Sequence, residues 1–314
     1  MPLQLGYLLP TRERIMVGTH ATDEIIALGE LAEQLGLDAV WIGDSLLAKP
    51  RHEPLALLTA IAARTEHIAL GTAVLLPMLR NPVLLAHQAA TIDQISHGRL
   101  ILGVGIGRDV PAIRNEFAAA GVGFDRRVGT LLESIALCRA LWTSTEQVNW
   151  DGRWQVRDAV LAPRPAREGG PPIWGGGSVK TAQRRAGRHF DAWFPSGAGD
   201  ATDWQIGYAQ VQDSASTHGR AADVSGAAYV TLSVANDADT AQAALDAYLE
   251  LYYKQPAAHI RANQYCFAGT EGQALAWLRG FADSGATHLC VRFTGSHDRA
   301  QMHWLADART QLID

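Results

Sequence analysis

Apolar residues recur along this chain in two alternating rhythms. Short, mostly apolar runs at Leu3–Leu9, Leu37–Gly43 (LDAVWIG), Ile68–Leu76 (IALGTAVLL) and Arg99–Ile106 (RLILGVGI) predict strands buried on both faces. Between them the spacing turns helical. From Asp23 to Gly36 the residues Ile25, Leu28, Leu31, Ala32 and Leu35 fall on one face. Thr22 is placed to cap that helix, and Gly36 stands where a left-handed residue ends one. Pro54 opens a helix predicted to reach about Glu66, and Asn81-Pro82 opens another that Gly98 stops. Apolar strands separated by helices point to a parallel sheet covered by helices.

The second half keeps the rhythm, with strands near Pro172–Trp174, Asp191–Pro195, Ala227–Ala235 and His288–Phe293. About eight strands and at least eight helices predict an α/β fold, a closed (β/α)8 TIM barrel with insertions. An open doubly wound sheet is the alternative. No Gly-, Ser- or Pro-rich linker and no internal repeat divides residues 1–314, so the chain is expected to form a single barrel domain. Two stretches break the pattern as insertions. Residues near 149–165 predict a hairpin turned at Asp151-Gly152, and residues near 254–270 form a long connection.

Composition narrows the classes. The 314 residues are 47% hydrophobic and 19% charged, which excludes a disordered chain. The net charge is −5, and the basic residues form no contiguous stripe, which argues against a nucleic-acid partner. Three widely spaced cysteines, Cys138, Cys266 and Cys290, make neither a disulfide framework nor a CxxC metal pair. With no signal-peptide pattern and no apolar run of about 18 residues, a cytoplasmic protein free of membrane association is expected.

In a barrel the residues after each strand meet at the catalytic face. Those residues include Asp44-Ser45 after the second strand, Ala73-Val74 at the third and Gly105-Ile106-Gly107-Arg108-Asp109 at the fourth. Gly175-Gly176-Gly177-Ser178 follows the fifth. The last run suits a phosphate: glycines admit close approach, and the following helix start presents N–H groups. An ordinary turn with Ser178 as a helix cap is the other reading. Asp44 is either a polar anchor for a ligand or a loop carboxylate paired with an arginine. His20, His52, His67, His87 and His97 lack metal-ligand spacing, with His87 and His97 placed in the third helix pattern, and no metal site is expected. Trp174, Trp193 and Trp204 fit core or pocket wall. GVGIGRD matches a dinucleotide fingerprint only in part.

The strings GTAVLLPMLRNPVLLAHQAATIDQISHGRLILGVGIG, EFAAAGVGFDRRVGTLLESI and PRPAREGGPPIWGGGSVKTAQRRAGRHFDAWFPSG resemble the bacterial luciferase-like family of flavin-dependent oxidoreductases. The likeness runs from LGYLLP to GATHLCVRF. It implies a luciferase-like (β/α)8 barrel and a homodimer. It also implies a non-prolyl cis peptide at Ala73–Val74 beneath a flavin or deazaflavin ring, with Gly105 and Gly107 close to that ring. Gly176, Gly177 and Ser178 would cradle the cofactor phosphate, and Asp44 would stand near the ring. Several relatives carry a proton-transferring histidine directly after the strand-two aspartate. This chain has Ser45, and a serine hydroxyl alone is no base near neutrality. Asp44, Ser45 and Arg108 are therefore the catalytic candidates, with His52 and Asp109 as further alternatives.

The expectation that follows is a two-component monooxygenase that takes reduced FMN from a separate flavin reductase and uses oxygen on a small organic substrate. Hydride transfer with coenzyme F420 is the alternative, and a non-catalytic flavin-binding protein the second. The substrate pocket is expected from Leu46–Glu53 and the two insertions.

Overall fold

The computed structural model describes residues 3–313. Its strands are β1 (Gln4–Leu8), β2 (Ala39–Ile42), β3 (Ala69–Thr72), β4 (Leu100–Val104), β5 (Val148–Asp151), β6 (Gln155–Ala159), β7 (Ile173–Gly175), β8 (Ala192–Trp193), β9 (Ser225–Val234), β10 (Tyr265–Gly269) and β11 (His288–Phe293). The order β9-β11-β1-β2-β3-β4-β7-β8 returns to β9 through a further β8–β9 pairing. This is the closed parallel (β/α)8 barrel of the luciferase-like fold. All eight predicted strands are present. Their apolar character has the expected cause, since every residue of β2, β4 and β11 is buried.

The chain divides into two compact units, Met1–Trp41 with Trp174–Asp314, and Ile42–Ile173. In the first, Trp41 packs 5.2 Å from Trp174 and 4.8 Å from Phe194, ring centre to ring centre. His288 stands edge-on to both tryptophans. Trp193 and Trp204 stack at 5.9 Å and are buried, so the tryptophans are core. Arg292 is buried, and among the described residues no carboxylate pairs with it. Its guanidinium donates to Thr231, Tyr253 and Gln264, and it lies over the rings of Tyr229, Tyr248, Tyr252 and Tyr253. The stretch near 254–270 is more than a loop: it holds a short helix, Ala257–Arg261, and β10, which pairs parallel with β9 along Val230–Val234.

In the second unit the helix Pro82–Ile95 starts where its sequence predicts. Asn81 accepts from the Val83 and Leu84 N–H groups, and proline takes the first helical position. The predicted hairpin is β5 paired antiparallel with β6. Three local expectations change. Thr22 is the first residue of its helix and no cap; Ala21 holds the cap position at φ 38 with no side chain to offer. The helix from Pro54 ends at Ala62, short of Glu66. His97 lies beyond the third helix, at φ 53, so only His87 is on it.

Candidate functional site

In the Ile42–Ile173 unit, three strand ends are tied together. The Ala73–Val74 peptide is cis. Around it, Ala73 N–H donates to Ile42 O at 2.8 Å, Leu75 N–H to Gly103 O at 2.7 Å, and Gly105 N–H to Leu75 O at 2.9 Å. Thr72 Oγ1 donates to Gly103 O at 2.8 Å. A Cβ at Gly105 would sit 2.6 Å from Val74 Cγ2, so only glycine lets β4 pass this close. Gly107 turns the chain at φ +71.

Asp44 is a paired carboxylate. Arg80 Nη1 donates to Oδ2 at 2.7 Å and Nη2 to Oδ1 at 3.0 Å, and Leu76 N–H donates to Oδ2 at 2.9 Å. The Asp44 side chain is 3% exposed. It thus holds the segment just after Ala73–Val74 by its backbone. Ser45 is buried and donates to Glu116 Oε1 at 2.9 Å. Arg108 is exposed beyond β4. Asp109 is bound by Arg114, whose hydrogen bonds hold its carboxyl below the usual range, so it makes a poor base at neutral pH. His52 is half-buried on the loop that follows β2.

In the other unit, the turn after β7 directs its carbonyls inward. Phe194 N–H donates to Gly175 O at 2.8 Å, Trp193 Nε1 to Gly177 O at 2.8 Å, and Gln183 Nε2 to Ser178 O at 3.0 Å. Gly177 has φ +102. Ser178 does not cap the helix; Val179 takes that position and the helix runs Lys180–His189. Residues 177–181 are exposed, and the helix carries Lys180, Arg184, Arg185 and Arg188 with no acidic residue. An exposed helix start flanked only by cations fits the phosphate of a flavin or deazaflavin.

Glu116 and Arg80 escaped the reading of the sequence. Glu116 carried one signal: it stands between Ile113 and Phe117 on the apolar face of the helix Pro111–Ala119. Among the described residues no group of three or more His, Cys, Asp or Glu side chains is placed to hold a metal ion. No helix there is long and apolar enough to cross a membrane.

These features define a (β/α)8-barrel protein with its polar groups gathered at strand ends. More particularly, residues 3–299 match the family described as luciferase-like monooxygenase, and the chain belongs to that family, and with it to the oxidoreductases. It is 38% identical over 181 residues to an F420-dependent glucose-6-phosphate dehydrogenase of Amycolatopsis mediterranei (strain U-32), covering 54% of this chain and 52% of that protein. The match thus spans about half the length of that relative. With F420-dependent glucose-6-phosphate dehydrogenase 1 of Rhodococcus jostii (strain RHA1), it shares 29% over 305 residues, 88% of this chain and 89% of the other. In fold it superposes on an F420-dependent secondary alcohol dehydrogenase, solved with an F420–acetone adduct, with a TM-score of 0.85 at 20% identity over the whole of both chains. A monooxygenase from Streptomyces bottropensis gives 0.80 at 22% identity, with 98% of each chain covered.

Proposed function

We propose that this protein is an F420-dependent oxidoreductase that moves a hydride between the deazaflavin and the carbinol carbon of a small organic substrate. The observation that carries this reading is the shared description of its sequence relatives as F420-dependent dehydrogenases. It displaces the monooxygenase with reduced FMN as the leading reading. The likeness to the solved Streptomyces bottropensis monooxygenase, at 22% identity, is one of fold alone. No separate flavin reductase is then required.

Each unit, taken by itself, offers residues suited to part of such a coenzyme. Ala73, Val74 and Gly105 make a small apolar surface with no side chain at Gly105, suited to a flat ring. Gly176, Gly177 and Ser178, ahead of a cationic helix, suit its phosphate. When bound, F420 supplies a two-electron hydride acceptor or donor. Asp44 supports that surface by holding the Leu76 N–H and Arg80.

The test is an anaerobic fluorescence titration of the purified protein with F420 and with oxidised and reduced FMN, followed by turnover with secondary alcohols and aldoses. Tight binding of F420 with substrate-dependent loss of its absorbance is the expected outcome. Preference for reduced FMN with oxygen consumption returns the monooxygenase, and binding without turnover returns the flavin-binding protein.

A further inference from the structure

Among the described residues of the Ile42–Ile173 unit two carboxylates, Asp93 and Glu116, are buried with one oxygen unpartnered and no ion pair, and Glu116 is the one joined to a residue just past a strand end. Glu116 is 1% exposed. Its Oε1 accepts from Ser45 Oγ at 2.9 Å, Leu47 N–H at 2.7 Å and Ala48 N–H at 3.4 Å, while Oε2 is sealed from solvent with no hydrogen-bond partner. The charged groups on neighbouring elements are engaged elsewhere. Asp44 and Glu53 hold Arg80, and Arg114 of the same helix holds Asp109 and Asp125. Lys49, Arg51, His52, Arg108 and Arg126 are the other charged or titratable groups on the adjoining loops. A buried carboxylate oxygen without a donor is costly, and Oε2 has room in its hydrogen bonding for one more partner.

Ser45 links this carboxylate to the strand end. Its hydroxyl donates to Glu116 and accepts the Lys49 N–H at 2.8 Å. A hydroxyl has two lone pairs, so one acceptor position remains. Ser45 lies three residues past the end of β2, on the side of a barrel where substrates bind.

We propose that Ser45 and Glu116 together receive the proton of the substrate hydroxyl, in place of a histidine. The proposal rests on the hydride-transfer reading above. As the carbinol C–H bond breaks and its electron pair leaves with the hydride, the C=O bond forms and the O–H bond breaks. The proton released goes to Ser45 Oγ, and the proton of Ser45 moves to Glu116 Oε1. In the reverse direction the same pair supplies the proton. Ser45 touches the substrate; Glu116 acts through it. Alone, a serine cannot do this near neutral pH; a carboxylate behind it can.

Glu116→Gln keeps a carbonyl oxygen for Ser45, Leu47 and Ala48 but cannot take up a proton. The expected result is F420 affinity within about twofold of wild type, kcat lowered about 100-fold with KM changed less than about threefold, and loss of the acidic limb of the kcat–pH profile. Ser45→Ala shows the same loss, which keeps the test open if Glu116→Gln folds poorly, and Glu116→Asp recovers part of the pH dependence. A cofactor-free readout accompanies these: infrared difference spectra of wild type between neutral and acidic pH show a buried carboxylic-acid band that Glu116→Gln removes. Glu116→Gln with wild-type kcat and pH profile overturns the pair. Failure of the wild type to bind F420 overturns only the cofactor reading, and absence of the infrared band then overturns the pair independently.

Discussion

Asp44 and Arg80 form a two-pronged ion pair, with contacts of 2.7 and 3.0 Å, against the segment that follows the Ala73–Val74 peptide. The same carboxylate accepts the Leu76 N–H, so one side chain at the end of β2 fixes both a charge and a backbone segment. Asp44→Asn retains an acceptor for Leu76 but leaves Arg80, 15% exposed, with Glu53 as its remaining anion. Breaking a buried pair by removing one partner is expected to lower the unfolding free energy by about 3 kcal/mol. Urea denaturation measures this, and F420 titration of the same variant should show weakened binding. A change below about 0.5 kcal/mol would mean the pair is peripheral to the fold.

His288 makes stability depend on pH. Burial pushes its pKa down to about 4, against a small opposite pull from Asp38. The ring is therefore neutral at pH 7, with Nε2 accepting from Trp41 Nε1 at 3.1 Å. Because the unfolded chain binds this proton near pH 6.5 and the folded one only near 4, the unfolded state holds more protons between those values. Stability contributed by His288 is thus full above about pH 6.5 and falls as the pH drops towards 4, by on the order of 3 kcal/mol. Denaturation midpoints at pH 7 and 4.5 should separate strongly in wild type and less in His288→Gln. Equal pH dependence in the two proteins would assign the effect to other groups.

How far such features were legible in the sequence depends on how local their causes are. The fully apolar strands β2, β4 and β11 announced a parallel sheet because burial on both faces leaves no polar period. Asn81-Pro82 announced its helix because the cap is made within three residues. The end of the helix from Pro54 was not legible, because Arg99 binds the Ala62 and Thr65 carbonyls from 37 and 34 residues away. Gly105 and the glycine turn after β7 stood out by residue type and by likeness to a family. Glu116 did not: its partners Ser45, Leu47 and Ala48 lie 71, 69 and 68 positions away, and only folding shows that its carboxylate is buried. Likewise Asp44 could be read as anchor or ion pair until Arg80 was placed beside it.

Gly105 offers a steric test of the strand-end surface. A Cβ there meets Val74 Cγ2 at 2.6 Å, and a valine branch has little rotamer freedom with which to retreat. Gly105→Ala should cost about 1–3 kcal/mol and weaken F420 binding, because Val74 must shift. Gly123→Ala is the control: nothing lies within 4 Å of its Cβ, so stability should change by less than about 0.5 kcal/mol. If the two variants behave alike in denaturation and in titration, the close approach of β4 to Val74 carries no weight in the site.

Gly177 tests the phosphate turn in the same way, with a conformational reason added. Its φ of +102 lies where L side chains are strained, and an added Cβ would meet Ala182 Cβ at 2.9 Å. Its carbonyl is held by Trp193 Nε1 at 2.8 Å, so the turn cannot rotate without giving up that bond. Gly177→Ala should therefore displace the exposed N–H groups at the head of the Lys180–His189 helix and raise the F420 dissociation constant about tenfold, or about 1.4 kcal/mol. Ser178→Ala should do less, since the turn uses the Ser178 carbonyl rather than its hydroxyl as an internal acceptor. The discriminating measurement compares F420 with its phosphate-free deazaflavin core. A loss confined to the phosphorylated form ties Gly177 to the phosphate, whereas an equal loss for both forms would locate the damage in the fold and leave this turn without a role in binding.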